Sequence, residues 1–257
     1  MEFFKYEGAG NDFIIIDDRD KSFPESDFNL VKRLCDRHFG IGADGLMLLQ
    51  LLDGYDFKMI YYNSDGNFSS MCGNGGRCIV QFAKSLGVID NHAHFLAVDG
   101  PHLGDVMPDG SVALKMIDVN SIEVIDDDSL LLDTGSPHYV KKVKDIESLD
   151  LISEGRKIRY NDRFKNDGVN VNFVEEKDGA LLIRTYERGV ENETLACGTG
   201  VTAAAVAMVY WGRRSRSIDV KAVGGDLNVR LEKAQGSFQN IWKTGAATFV
   251  FKGEVVL

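Results

Sequence analysis

Two segments 125 residues apart restrict this chain more than anything else in it. They read Met71-Cys72-Gly73-Asn74-Gly75-Gly76-Arg77 and Ala196-Cys197-Gly198-Thr199-Gly200-Val201-Thr202. Each is Cys-Gly-(Asn/Thr)-Gly and runs directly into apolar residues at helical spacing. After the first come Cys78, Ile79, Phe82, Ala83 and Leu86, with Gly87 placed to stop the helix; after the second come Val201, Ala204, Ala205, Met208 and Val209, with Gly212 as the stop. The stretch from Thr202 to Trp211 has almost no polar face, so that helix is expected to be buried on most sides. One such motif is only a tight turn. Two copies predict an internally duplicated fold, each half holding a cysteine just before a helix N-terminus. Free N–H groups and the helix dipole there favour an anion, lower a thiol pKa, and can hold a carboxylate.

Composition sets the surroundings of those motifs. At 257 residues, with 44% hydrophobic and 26% charged residues, the chain suits one large or two smaller folded domains. A net charge of −10 argues against binding nucleic acid or an anionic membrane. No apolar run is long enough to span a bilayer, and the N-terminus lacks the layout of a signal peptide. A cytoplasmic location is therefore expected, with reduced thiols and no disulfide framework. The spacing of Cys72 and Cys78 does not fit a structural zinc site, and no metal site is expected. Cys78 reads as a core residue. So does Cys35, on a helix near 27–38 whose residues 28, 31 and 35 share a face behind a cap at Ser26 or Asp27.

Strand patterns precede Cys72 at Phe3–Tyr6, Phe13–Asp17, Leu46–Leu51 and Phe57–Tyr62, and follow its helix at His94–Val98, near 103–107 and at Ser111–Met116. The second half repeats the theme at 130–133, 138–143, 169–175 and 180–186, then, beyond the second helix, at 217–223, 226–232 and 246–256. The polar stretch Asp118–Asp128 reads as a linker, its acidic triplet as a solvated loop. The expected class is α+β, with two pseudo-symmetric lobes, each a mostly antiparallel sheet wrapped around a buried central helix. The N-terminal lobe is expected over 1–117, with a strand at 247–257 returning to it, and the C-terminal lobe over 118–246.

Two equivalent cysteines suit one kind of chemistry. Inverting a carbon centre requires taking a proton from one face and delivering one to the other, and a thiolate and a thiol can exchange those roles each turnover. Helix N-termini stabilise the substrate carboxylate as the carbanion forms. No lysine stands in a convincing context for pyridoxal chemistry, so no cofactor is expected. From another class, a bilobed amino-acid-binding protein would share the architecture but has no use for two thiols.

Further stretches extend the pattern: Gly8-Ala9-Gly10-Asn11-Asp12-Phe13, Gly40-Ile41-Gly42-Ala43-Asp44-Gly45, Tyr62-Asn63-Ser64-Asp65-Gly66, Ser136-Pro137-His138, Val169-Asn170-Val171, Glu187-Arg188-Gly189 and Glu193-Thr194-Leu195-Ala196-Cys197. Together with the two cysteine motifs, and in this order over essentially the whole chain, they resemble the diaminopimelate epimerase family. That resemblance implies an isomerase that interconverts L,L- and meso-diaminopimelate in lysine and cell-wall precursor biosynthesis, without a cofactor and as a homodimer. It implies Cys72, Cys197, His138 and Glu187 as catalytic residues, with Cys197 taking the α-proton of the L,L isomer, Cys72 donating from the other face, and His138 biasing their protonation. Gly73, Asn74, Gly198 and Thr199 would bind the reacting carboxylate; Asn11, Asn63, Asn170, Glu187 and Arg188 would hold the other amino and carboxylate groups. The chain departs from the family pattern twice. Ser136 stands where Asn usually precedes Pro-His, and Gly189-Val190-Glu191-Asn192-Glu193-Thr194 has one extra residue and lacks a second Gly. A related two-cysteine proline or hydroxyproline racemase is the alternative enzyme.

Overall fold

A computed structural model describes residues 1–213 and 216–256. The chain divides into two compact units, Met1–Leu114 with Gly245–Leu257, and Lys115–Thr244. The elements of the first stretch are β1 (Glu2–Gly8), β2 (Asn11–Asp17), α1 (Phe28–Cys35), β3 (Gly45–Gln50), β4 (Phe57–Asn63), α2 (Gly73–Ser85), β5 (His92–Ala97), β6 (Gly100–Val106) and β7 (Val112–Lys115). There follow β8 (Ile122–Asp126), β9 (Ser129–Asp133), β10 (Pro137–Lys142), α3 (Leu151–Arg159), β11 (Asn170–Lys177), β12 (Ala180–Glu187), β13 (Asn192–Thr194), α4 (Gly198–Tyr210), β14 (Ser217–Ala222), β15 (Gly225–Ala234) and β16 (Ser237–Gly245). The last strand, β17 (Thr248–Glu254), returns to pair antiparallel with β1; Leu257, the end of the strand expected over 247–257, lies outside the described residues.

The duplication is legible in the strand pairings. In the first unit β1/β2 is antiparallel, β2/β3 parallel, β3/β4 antiparallel, β4/β5 parallel and β5/β6 antiparallel. In the second, β9/β10, β10/β11, β11/β12, β12/β14 and β14/β15 repeat the same senses in the same order. Each parallel pair needs a crossover, and each crossover carries a helix: α1 and α2 in one unit, α3 and α4 in the other. The sheets are thus mostly antiparallel, as expected for the α+β class.

Burial follows from these crossovers. All six residues of β3 are buried: Met47 and Leu49 join the cluster around Cys78, Ile79, Phe82 and Ala83 of α2, whereas Leu46 and Leu48 join Val31, Leu34 and Cys35 of α1. A strand covered on both faces reads as a continuous apolar run. On α4 every residue from Gly200 to Val209 is buried, as its lack of a polar face predicts.

Several local expectations are corrected. Asp118–Asp128 is not a linker, because Ile122–Asp126 forms β8 and pairs with β9, with Asp126 Oδ1 accepting the Asp128 N–H across the turn. Asp27 does cap α1, accepting from the Leu30 N–H, but the helix ends at Cys35 and buries Leu30, Val31, Leu34 and Cys35 while Phe28 stays exposed. Helix α3 has no counterpart among the expected elements. It carries Gly155 at mid-length, where a Cβ would stand 2.6 Å from Tyr186, so close packing on β12 requires a residue that weakens the helical signal. Strand β16 was hidden for another reason. Asn240 has a φ of +51°, which breaks the alternation between buried Phe238 and buried Ile241, and Lys243 points inward.

Candidate active site

Each unit presents its cysteine in the same backbone setting. Cys72 is the N-cap of α2, with extended φ and ψ of −84° and 127°; Cys197 is the N-cap of α4 at −95° and 111°. Their carbonyls accept the first helical bonds, from Gly76 at 2.7 Å and Val201 at 2.9 Å. The N–H groups of Gly73, Asn74 and Gly75, and those of Gly198, Thr199 and Gly200, are the ones a helix start leaves without intrahelical acceptors. The glycines have a packing reason as well. A Cβ on Gly76 would lie 2.8 Å from Met71 Sδ, and one on Gly200 2.4 Å from Asn172 Oδ1. Neither cysteine side chain makes a capping bond.

In the first unit the structure joins Asn11 to Asn74. Asn74 Nδ2 donates to Asn11 Oδ1 at 2.8 Å, and Asn11 Nδ2 donates to Asp44 Oδ2 at 2.8 Å. Asp44 is fixed by Arg37, which also binds Asp12, and Lys5 completes the cluster at 2.8 Å from Asp12. Asn74 Oδ1 is buried without a hydrogen-bond partner. Asn63 ends β4 and is exposed. Sequence reasoning passed over Arg77, which is fully buried in α2; its Nε donates to the Ala246 carbonyl and one terminal nitrogen to Gly73 O, while the other has no partner. Burial, ahead of any neighbouring charge, holds its pKa below the usual guanidinium value. The sequence offered no signal for this, since position 77 lies off the apolar face set by Cys78, Ile79, Phe82 and Ala83.

In the second unit Cys197 is 7% exposed and touches Thr199, whose Oγ1 lies 3.5 Å from Sγ. The expected lowering of its pKa does not occur. Burial first, then the Glu187 carboxylate, push the thiol up to about 11, against the pull of the Thr199 hydroxyl, the Gly200 N–H and Lys243. Glu187 ends β12, as Asn63 ends β4; the Thr194 hydroxyl donates to its Oε2 at 2.8 Å, and burial still raises its pKa. His138 on β10 is fully buried. Desolvation and the nearby Arg188 charge press its pKa to about 3, so the ring is neutral near pH 7. The contacts of this ring are hydrogen bonds, to Ser136 Oγ at 3.1 Å and Asn172 Nδ2 at 3.0 Å. Asn170 joins the same group, donating to Ser136 Oγ at 3.0 Å and accepting the Arg188 backbone N–H at 2.9 Å. The Arg188 guanidinium donates to Asp167 O. Asn172, Thr134 and Ser136 were not among the expected site residues. Asn172 and Ser136 join the group because β10 and β11 pair in parallel, His138 opposite Asn170, and Thr134 because its hydroxyl donates to the Thr199 carbonyl at 2.9 Å.

Cys78 and Cys35 lie elsewhere, in the two cores of the first unit. Burial raises both thiols, that of Cys35 to about 12. The unusual loop after Arg188 is also accounted for. Glu191 takes a φ of +57°, a conformation glycine adopts freely, and its carboxylate binds Arg159, Tyr160, Tyr186 and the Gly189 N–H.

Solved structures with this fold include a PhzF-family phenazine biosynthesis protein from Bacillus anthracis (TM-score 0.73, 14% identity, covering 100% of this chain and 99% of that one). Another is a hydroxyproline epimerase from Agrobacterium vitis with bound trans-4-hydroxy-L-proline (TM-score 0.66, 16% identity, 98% and 91% coverage). The fold class is therefore the duplicated α+β architecture common to those proteins. Within it, the sequence model for diaminopimelate epimerase matches residues 3–119 and 130–250. Diaminopimelate epimerases from Flavobacterium psychrophilum and Chlorobaculum tepidum are 48% and 41% identical, over 98% and 97% of this chain and 99% of each relative. The chain belongs to the diaminopimelate epimerase family.

Proposed function

We propose that this chain interconverts L,L- and meso-diaminopimelate by a two-base reaction. One cysteine, as thiolate, takes the α-proton and becomes a thiol; the other, as thiol, delivers a proton to the opposite face and becomes the thiolate. The carbanion between those steps is held through its carboxylate by the N–H groups at Gly73 and Asn74 and at Gly198 and Thr199. Asn11, Asn63, Asn170, Glu187 and Arg188 hold the remaining amino and carboxylate groups. The observation that carries this reading is the repeated placement of a cysteine as the last extended residue before a glycine-led helix, once in each unit. No residue in it needs a cofactor to act.

The enzyme is proposed to serve lysine and cell-wall precursor biosynthesis in the cytoplasm, where the reducing environment suits its free thiols. No helix among the described residues is long and apolar enough to cross a membrane. A homodimer is part of the proposal, supported by β17, where consecutive Phe249, Val250 and Phe251 are each about half exposed. Sedimentation that gives one chain's mass at micromolar concentration removes that part.

Incubation in D₂O with L,L-diaminopimelate, proline and hydroxyproline tests the activity. Deuterium entering only the α-carbon of diaminopimelate supports the reading. Exchange into proline or hydroxyproline alone makes the chain a racemase of the related kind, and exchange into none makes it a binding protein.

A further inference from the structure

Five side chains near Cys197 form a hydrogen-bonded network whose direction is set by groups outside it. Asn172 Nδ2 lies 3.1 Å from the Tyr139 carbonyl, which can only accept, so the NH₂ end of this amide is identified. The same Nδ2 is 3.0 Å from His138 Nδ1, which must therefore be the unprotonated ring nitrogen. A neutral imidazole then carries its proton on Nε2, and that N–H donates to Ser136 Oγ at 3.1 Å. Asn170 is oriented in the same manner. Its Oδ1 accepts the Arg188 N–H, so its Nδ2 donates to Ser136 Oγ at 3.0 Å. Ser136 Oγ thus accepts twice, and its one proton turns to Thr199 Oγ1 at 3.4 Å. Thr199, accepting there, turns its own O–H to Cys197 Sγ at 3.5 Å.

We propose that Ser136 is a positioning residue for Cys197: it passes the donor direction of His138 and Asn170 to Thr199, so that a hydroxyl hydrogen faces the Cys197 sulfur. For its catalytic meaning this rests on the epimerase reading of Cys197, but the geometry does not. The thiolate gains a fixed donor, offsetting part of the burial that disfavours it. The thiol is constrained too, because its S–H cannot point at Thr199 and must turn to another side. Ser136 is also one of the two places where the sequence departs from the family pattern; an asparagine there would accept at Oδ1 and donate from Nδ2, whereas the serine does both at one oxygen. The charged groups acting on Cys197 are Glu187 from β12 and Lys243 from β16, and neither belongs to this chain of hydroxyls.

The test is alkylation of Cys197 by iodoacetamide, followed by mass spectrometry of its peptide across pH. The unmodified protein is compared with Ser136→Ala, Ser136→Thr and Thr199→Val. Ser136→Ala and Thr199→Val are expected to displace the profile upward by about one pH unit, read as roughly tenfold slower reaction below the midpoint. Ser136→Thr, which keeps the hydroxyl, leaves the profile in place. An unmoved profile in Ser136→Ala or Thr199→Val overturns the proposal, and so does an equal displacement in Ser136→Thr, which marks a packing effect. Should Ser136→Ala fail to fold, Thr199→Val and Ser136→Thr decide by the same criteria. Deuterium exchange is followed in parallel, so loss of the epimerase reading registers separately from the alkylation result.

Discussion

The Asn74 side chain donates to Asn11 across 63 residues of sequence, and Asn11 in turn donates to Asp44, so two motifs far apart in the chain share one amide ladder. Asn11→Ala removes the acceptor of a buried N–H. Stability is expected to fall by about 1–3 kcal/mol in urea unfolding. In kinetics, KM for diaminopimelate rises about tenfold or more, with a smaller change in kcat. An unchanged KM separates the ladder from substrate binding.

The four cysteines should divide into two classes. Cys72→Ala and Cys197→Ala each abolish α-deuterium exchange, whereas Cys78→Ala keeps it and loses about 1 kcal/mol through a small cavity. Loss of exchange in a folded Cys78→Ala protein that still binds substrate contradicts that division.

The pH dependence of kcat/KM should be bell-shaped, since only a thiolate–thiol pair has a base and an acid together. With the Cys197 thiol pushed up to about 11, the alkaline limb belongs above the ordinary thiol value of 9.0 and toward 11. Both directions should share the same limbs, because the equilibrium between two isomers with the same ionisable groups does not vary with pH. A rate that climbs past pH 11, with binding of a non-reacting analogue constant, shows that no thiol acid is needed.

Stability should fall on acidification, with a contribution from His138. Its folded value of about 3 lies below the ordinary 6.5, so between those values the unfolded chain binds a proton that the folded chain does not. The contribution is complete above 6.5 and is lost as pH falls, at about 1.4 kcal/mol per unit at its steepest. Asp12 adds a second loss below 3.8: burial raises its pKa, but Arg37 and Lys5 outweigh this and hold it at about 2. His138→Asn should flatten the urea midpoint between pH 6 and about 4; an identical slope in the variant refutes the assignment.

Glu191→Gly should relieve the positive φ yet lower stability by about 1–2 kcal/mol, since the bonds to Arg159, Tyr160 and Tyr186 outweigh the relief of backbone strain. A melting temperature that rises instead would make the backbone term the larger.

Features decided within one segment were legible from sequence. The glycine-led starts of α2 and α4, their stops at Gly87 and Gly212, and the apolar run of β3 all follow from local spacing and turn chemistry. Elements whose pattern is broken by a tertiary requirement were not. Gly155 makes α3 a poor helix because Tyr186 occupies the space of a Cβ, and Asn240 and Lys243 disrupt the alternation of β16.

The same boundary runs through the candidate site. Sequence by itself determined that each half holds a cysteine at a helix start, because cap, glycine and apolar helix are adjacent in the chain. It could not determine protonation. His138 is neutral because strands from distant parts of the sequence strip it of water, and Cys197 is raised because burial and the Glu187 carboxylate outweigh the Thr199 hydroxyl, the Gly200 N–H and Lys243. Nor could it set the direction of the hydrogen bonds from Asn172 through His138 and Ser136 to Thr199, which join β10, β11 and α4. Burial and hydrogen-bond direction are sums over everything packed around a group, and only the tertiary structure brings those neighbours together.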